Sequence, residues 1–382
     1  MRRRDLLRLG GLGLAAGWTL LAACRSTEPT ATPAPPTPTA AGAGMAPTAS
    51  PTPAAAATRA AGATPTVMTR SQSAVVTIYS GRSKSLIGPL LDRIGQELGL
   101  DVRVRYGDTA ELATAILEEG DRSPADLFFG QDAGALGALA KEGRLAPLPS
   151  ELLQRVPQPY RSPKGLWVGI SGRVRTVVYN TERVKPEEIP ASIVDFAGNE
   201  RWRARLGWAP TNGSFQAFVT ALRRLRGEDV ARSWLQGVKA LDARVFPNNS
   251  SIVQATIKGE IEAGFVNHYY LMRERAQAGQ PLPAENYFYT NGDPGGLVNV
   301  AGVGVLVTSR ASDAALALVD YLLSEPAQRY FAEQTFEYPL LEGVPAHPDL
   351  PPLASLNPPA LDLSDLDDLK GTLALLQEVG LL

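Results

Sequence analysis

From residue 74 onward, strand-like and helix-like segments alternate, and this alternation restricts the possible folds more than any other feature of the chain. "AVVTIYS" (74–80) reads as a buried strand and "SLIGPLLDRIGQELG" (85–99) as an apolar-periodic helix. "DVRVRYG" (101–107) is a strand, and "TAELATAILEEG" (109–120) a helix with Thr109 as N-cap. "ADLFFGQ" (125–131) and "DAGALGALAKEG" (132–143) repeat the unit. The pattern predicts an α/β fold with mainly parallel sheets, in which ligands bind beyond the carboxyl ends of the strands. Residues 80–83, 130–132 and 267–270 occupy such positions.

A second set follows. "RVRTVVYN" (173–180) and "RLGWAP" (205–210) read as strands, and "SFQAFVTALRRLRG" (214–227) as a helix. "ARVFPNNSS" leads into "SIVQATIKGEI" (251–261), and "LVNVAGVGVLVTS" (297–309) is one long strand or two. A helix over 315–334 and a C-terminal amphipathic helix capped by Ser364 complete the reading.

The first 74 residues belong to a different class. Arg2, Arg3, Arg4 and Arg8 precede an apolar stretch, Leu9 to Ala23, that is short for a membrane span and reads as an export signal. "RRDLLR" is of the twin-arginine kind. "LAAC" resembles a lipobox ending at Cys24, the only cysteine, which excludes disulfides and predicts a lipid anchor on the outer face of the membrane. The Ala/Pro/Thr-rich tract up to residue 74 cannot bury a core and reads as a tether of roughly 40 Å reach.

Of 37 basic and 39 acidic residues, seven and two lie in the first 74, leaving the body 30 against 37, a net charge of about −7. That argues against nucleic acid as a partner. Only two histidines are present, and no P-loop or zinc-type spacing, so no catalytic set assembles and a binding protein is expected rather than an enzyme. Asp362, Asp365, Asp367 and Asp368 lack calcium-loop spacing and read as acids at a helix start.

Tyr269 and Tyr270 stand side by side where the apolar run Ala263–Val266 gives way to a charged helical pattern. Taken alone, such a pair reads as packing before it reads as chemistry.

The order "IYSGR", "ADLFFGQ", "SGRVRTVVYN", "APTNGSFQAF", "NNSSIVQATIKGEIEAGFVNHYY", "DPGGLVNVAGVGVL" and "EYPL" resembles the ferric-iron-binding solute-binding proteins of bacterial ABC transporters, across essentially the whole body. The resemblance implies a two-lobed periplasmic-binding-protein type II fold with the ligand cleft between lobes. The expected boundaries are 1–24 for the signal, 25–74 for the tether, 75–174 plus 300–350 for the first lobe, and 175–299 plus 351–382 for the second. It implies Fe(III) as cargo, Tyr269 and Tyr270 as ligands, an ABC permease as partner and a monomeric state. Hard, highly charged Fe(III) suits anionic oxygen, and a bound cation favours phenolate. The resemblance further implies a synergistic phosphate or carbonate held at Asn212, Gly213 and Ser214, with Asn249 (or Asn248) and Asn267 contributing.

The chain departs from the family pattern in the first lobe. Ser83 stands where one branch has a histidine, Lys84 where another has a tyrosine, and Gln131 where a glutamate is found. Ser83, Gln131 and Arg82 are candidate first-lobe contacts. Tyr79, His268, Asp132 or Tyr160 could supply a missing ligand, or exogenous anion could fill the gap. The other reading is an anionic organic solute, such as a phosphonate or sugar phosphate. Arg82, Arg173 and Arg175 suit either an anion or inter-lobe salt bridges.

Overall fold

The computed structural model describes residues 73–382; the export signal, Cys24 and most of the tether lie outside the described residues. Ten strands are present in this portion: β1 (Val75–Ser80), β2 (Asp101–Tyr106), β3 (Leu127–Gly130), β4 (Val168–Asn180), β5 (Leu206–Trp208), β6 (Arg244–Val245), β7 (Ala263–Asn267), β8 (Ala284–Tyr287), β9 (Val298–Val305) and β10 (Tyr338–Pro339). Their order is β2-β1-β3-β9-β4-β7-β5-β6, with β8 and β10 also pairing with β4.

Pairing separates two parallel sets. β1 runs parallel to β2 and β3, and β5 runs parallel to β6 and β7. The two sets are joined by antiparallel strands β9 and β4. Residues 168–174 of β4 pair with β9, whereas 175–180 pair with β7 and β8, so one strand serves both lobes. Every residue of β4 is buried, as expected for a strand covered on both faces.

The cores follow the same division. Val76, Ile78, Leu127, Phe128, Val174 and Val300 belong to one cluster, and Val177, Trp202, Phe218, Trp234 and Phe265 to another. The chain returns to the first core between Tyr289 and Leu297. Leu356, Leu363 and Leu366 also pack in the first core, although the expected boundary gave everything after 350 to the second. Only Leu375, Leu376 and Val379 join the second. The reason is close approach: Gly134 and Gly137 lack a Cβ that would run into the carbonyl oxygens of Leu366 and Ser364. Residues 363–369 are therefore a third passage of chain from one lobe to the other. Its Asp367 pairs with Lys141 of the first lobe at 3.2 Å and with Arg224 of the second at 3.6 Å.

Three local expectations need correction. Asp108, not Thr109, caps the helix Thr109–Glu119, accepting the Ala110 N–H. Ser364 sits inside the short turn Leu363–Asp367, and the terminal helix Leu369–Glu378 is capped by Asp368 through Gly371 N–H. The helix expected over 315–334 is broken into Ser312–Leu322, Glu325–Tyr330 and a π-turn, Phe331–Thr335. Pro326 explains the first break, because proline is tolerated in a first helical turn and not in an interior.

The helix Gly213–Arg226 shows how sequence aims a helix end. Phe215, Phe218, Val219 and Leu222 are buried at i, i+3, i+4 and i+7 spacing. Phe215 and Phe218 pack on Trp234 with ring centroids 6.1 and 5.4 Å away. Each such burial contributes roughly 1.5–3 kcal/mol. The helix N-terminus at Asn212 is thereby fixed towards the cleft.

Candidate functional site

β7 ends at Asn267, and the helix Tyr269–Ala278 begins two residues later. Between them His268 is fully buried and clamps the junction. Its Nδ1 accepts the Val174 N–H at 3.1 Å, and its Nε2 lies 2.8 Å from the Phe336 carbonyl oxygen. These partners assign the proton to Nε2. Burial holds its pKa down to about 4, against the hydrogen bond to Phe336, so the ring is neutral. His268 faces away from the cleft as a structural residue, not a ligand.

The next two side chains are the expected metal ligands. Tyr269 is buried and Tyr270 half-buried, and their rings stack. Burial first, and Tyr270 next, push the Tyr269 phenol well above its ordinary pKa, while Arg173 and Arg82 pull it back. Such a phenol is neutral in the metal-free protein, and a cation must supply the ionisation.

The first lobe presents Arg82 to this pair. Arg82 is 1% exposed and donates from Nη2 to Glu337 Oε1, while Ser171 Oγ donates to Glu337 Oε2. Burial works against the Arg82 charge, yet Glu337 and the tyrosine pair together outweigh it and raise the guanidinium pKa. Its Nε and Nη1 have no hydrogen-bond partner. Ser83 is exposed at the start of the helix Lys84–Leu98, and its side chain makes no capping bond. Gln131 does reach the cleft. Tyr79 is engaged elsewhere, donating to Glu119 at 2.9 Å. Tyr160 lies in the first core, its phenol pushed up to about 12 by burial. Asp132 lines the cleft but caps the helix Ala133–Lys141 through Ala135 N–H. Burial raises its carboxyl above the usual range, opposed by the N–H groups it caps and by Arg173.

The expected anion residues form one connected network. Asn212 Oδ1 accepts from Ser214 N at 3.1 Å and from Ser214 Oγ at 2.6 Å. Asn249 Nδ2 donates to Asn212 Oδ1 at 3.0 Å and to Ser214 Oγ at 3.2 Å. Asn249 Oδ1 in turn accepts the Asn267 N–H at 3.2 Å. Asn248 is not part of this network; it caps the helix Asn249–Ile257 through Ser251. A Cβ built on Gly213 meets nothing, so that backbone is open to the cleft. The Ser214 N–H is taken by the Asn212 side chain and the Phe215 and Gln216 N–H groups by the Asn212 carbonyl, so what this end offers an anion is the Gly213 N–H and the helix dipole.

A cavity of about 460 Å³ joins these pieces, lined from both lobes by Gln131, Asp132, Arg173, Arg175, Asn212 and Asn267 among others. Tyr269 and Tyr270 border this region rather than line it: Asn267, two residues before Tyr269, does line it. Arg173 and Arg175 act electrostatically on Tyr269 and Tyr270 respectively. Among the described residues no group of three or more His, Cys, Asp or Glu side chains is placed to hold a metal. Phenolate oxygen is outside that donor set. The residue that sequence reasoning missed is Glu337, whose only trace was its place in "EYPL".

Comparison with known proteins places the chain in a family. A family model described as bacterial extracellular solute-binding protein matches residues 122–364. The major ferric iron-binding protein of Neisseria meningitidis serogroup B is 33% identical over 312 residues, covering 81% of this chain and 93% of the relative. Iron-bound HitA from Pseudomonas aeruginosa aligns with a TM-score of 0.76 and 34% identity over 80% of this chain and 99% of that one. IdiA (FutA) from Trichodesmium, solved with iron and citrate ligands, gives a TM-score of 0.70 and 30% identity over 80% and 99%. Proteins of this family bind solutes for ABC transporter permeases and are not enzymes. The chain belongs to the extracellular solute-binding protein family, in its ferric-iron-binding branch.

Proposed function

We propose that the protein captures ferric iron outside the cytoplasm and delivers it to an ABC permease. Tyr269 and Tyr270 bind the ion as phenolates, and an anion at Asn212, Gly213 and Ser214 completes its shell. The observation that carries this reading is the juxtaposition of the stacked tyrosine pair with the Asn212–Asn249–Asn267 network. Hard phenolate and anion oxygens match a hard trivalent ion. Arg82, Arg173 and Arg175 favour the ionised phenols once the ion has displaced their protons. Phosphate or carbonate fits the open helix N-terminus. Lipidation of Cys24 would keep the binding body close to the permease.

The test is a visible-absorbance titration of metal-free protein with ferric nitrilotriacetate, with and without phosphate and carbonate. A tyrosinate-to-iron charge-transfer band saturating at about one equivalent is expected. Absence of the band under every condition overturns the iron reading and directs the search to phosphonates and sugar phosphates.

A further inference from the structure

The loop after β1 and the turn before β10 meet beside the tyrosine pair, and both are pinned. Gly81 makes room for Thr109, whose Oγ1 would lie 1.9 Å from a Cβ at that position, and its N–H donates to the Phe129 carbonyl oxygen at 2.9 Å. The Arg82 N–H donates to Ser80 Oγ at 3.1 Å. On the other side, the π-turn Phe331–Thr335 ends in Phe336 at φ 58°, a left-handed conformation that costs a residue other than glycine about 1–3 kcal/mol. The Glu337 N–H donates to the Phe331 carbonyl oxygen at 2.9 Å, and the next two residues pair with β4. Two adjacent residues thereby serve opposite sides of the tyrosines. The Phe336 carbonyl accepts from His268, next to Tyr269, and the Glu337 carboxylate accepts from Arg82 and Ser171.

The ion pair leaves Arg82 half used. Its Nε and Nη1 are buried without a partner, and among the described residues only Glu337 pairs with its guanidinium. Each buried donor left unsatisfied costs about 1–3 kcal/mol, and more on a charged group. An arginine kept for structure alone would spend those donors on nearby carbonyls. Gln328, buried in the same lobe, does so, donating to the Ile170 and Leu322 carbonyl oxygens. The groups that answer Arg82 are instead the phenols. Tyr269 and Tyr270 both help to hold its charge, and Arg82 in turn pulls the Tyr269 phenol down.

We infer that the first lobe meets the cargo with hydrogen-bond donors: Arg82 donates from Nε and Nη1 to the phenolate oxygens of the iron-bound tyrosines, and Glu337 is the positioning residue that aims it. This step rests on the iron reading above. A phenolate that coordinates iron keeps a lone pair for a charge-assisted N–H. Such a bond lowers the energy of the oxygen electrons without displacing the metal, as outer partners of a metal ligand do. The guanidinium finds strong acceptors only once iron has ionised the phenols, so loading of the cargo and seating of the first lobe reinforce each other.

The readout is the wavelength of the tyrosinate-to-iron charge-transfer band in protein loaded with ferric nitrilotriacetate and carbonate. Donors on the phenolates hold that band at shorter wavelength. Arg82→Gln should move it to longer wavelength and weaken iron binding about 10–100-fold, the usual cost of losing a partner of a metal ligand. Glu337→Asp keeps the charge and withdraws the carboxylate by one methylene, so it should move the band the same way by less. In an Arg82→Gln background, Glu337→Asp should move it no further, because Glu337 acts through Arg82. An unmoved band in either single variant overturns the inference, and so does a Glu337→Asp shift that survives without Arg82. The wild-type iron form gives a second check that needs no variant to fold. Its tyrosinate bands in resonance Raman should shift on transfer to heavy water, as the bonded N–H becomes N–D, and bands indifferent to that exchange overturn the inference. Absence of any charge-transfer band in the wild type is instead the failure of the iron reading itself.

Discussion

The rings of Tyr269 and Tyr270 lie face to face, with centroids 4.2 Å apart and 27° between their planes. Neighbouring residues in a helix diverge around its axis, so stacking two of them requires that the helix begin there, where the preceding chain can adjust. His268 holds that beginning in place from both sides.

Single substitution of Tyr269 or Tyr270 by Phe keeps the stack and removes one ligand oxygen. Each should weaken iron binding at least tenfold, or about 1.4 kcal/mol, and the double variant should show no charge-transfer band. Full affinity in the double variant, measured by competition with a chelator of known strength, would remove the tyrosine site.

Gly213→Leu tests the anion position separately from the fold. Its Cβ projects into open space, so the unfolding midpoint should change little, while the side chain blocks the helix N-terminus. Iron affinity should lose its dependence on phosphate and carbonate. Unchanged anion dependence in titrations with and without either salt would place the anion elsewhere.

Glu337→Ala leaves Arg82 charged and unpaired in the interior. Breaking a buried pair in this way costs about 3–5 kcal/mol. A urea unfolding curve should show the loss directly. Removing both partners together, as Arg82→Met with Glu337→Gln, should recover part of it, because no orphan charge remains.

The pH dependence of the metal-free protein should carry the signature of His268. Its pKa is held down to about 4 in the fold, chiefly by burial, against about 6.5 when unfolded. Between these values the unfolded chain binds a proton that the folded one does not, so stability rises with pH. The contribution is complete above about pH 6.5 and is lost as the pH falls towards 4, with a slope of at most about 1.4 kcal/mol per pH unit. Thermal unfolding of the wild type and of His268→Gln across this range gives the comparison. Parallel curves would assign the acid sensitivity to other groups.

Local chemistry was legible in the sequence where the signal is local. The helix read after "APTNG" is present, with Asn212 as its cap, and the tyrosine pair at the end of an apolar run lies at a strand–helix junction. Thr109 and Ser364 misled because an aspartate one or a few residues away was the better-placed acceptor for free N–H groups. Arg82 and Glu337 are 255 residues apart in sequence, and no periodicity can announce such a pair. β8 and β10, four and two residues long, pair with β4 and carry too short a pattern to separate from loop. The absence of bonded carboxylates around Arg173 and Arg175 required the packed structure, since it depends on what every neighbouring element presents.

The passage of chain at 363–369 gives the two lobes a clasp in addition to their crossing strands. Asp367, its own side chain only 16% exposed, touches Lys141 on one side and Arg224 on the other, whose side chains are 73% and 46% exposed. Exposed pairs of this kind contribute about 0–1 kcal/mol each and are screened over about 8 Å at physiological ionic strength. Such a clasp is weak enough for thermal motion to undo, and its hold slackens in brine. How often the cleft gapes is thus coupled to the saltiness of the medium outside the cell, through a carboxylate that stands at the rim of the cavity itself.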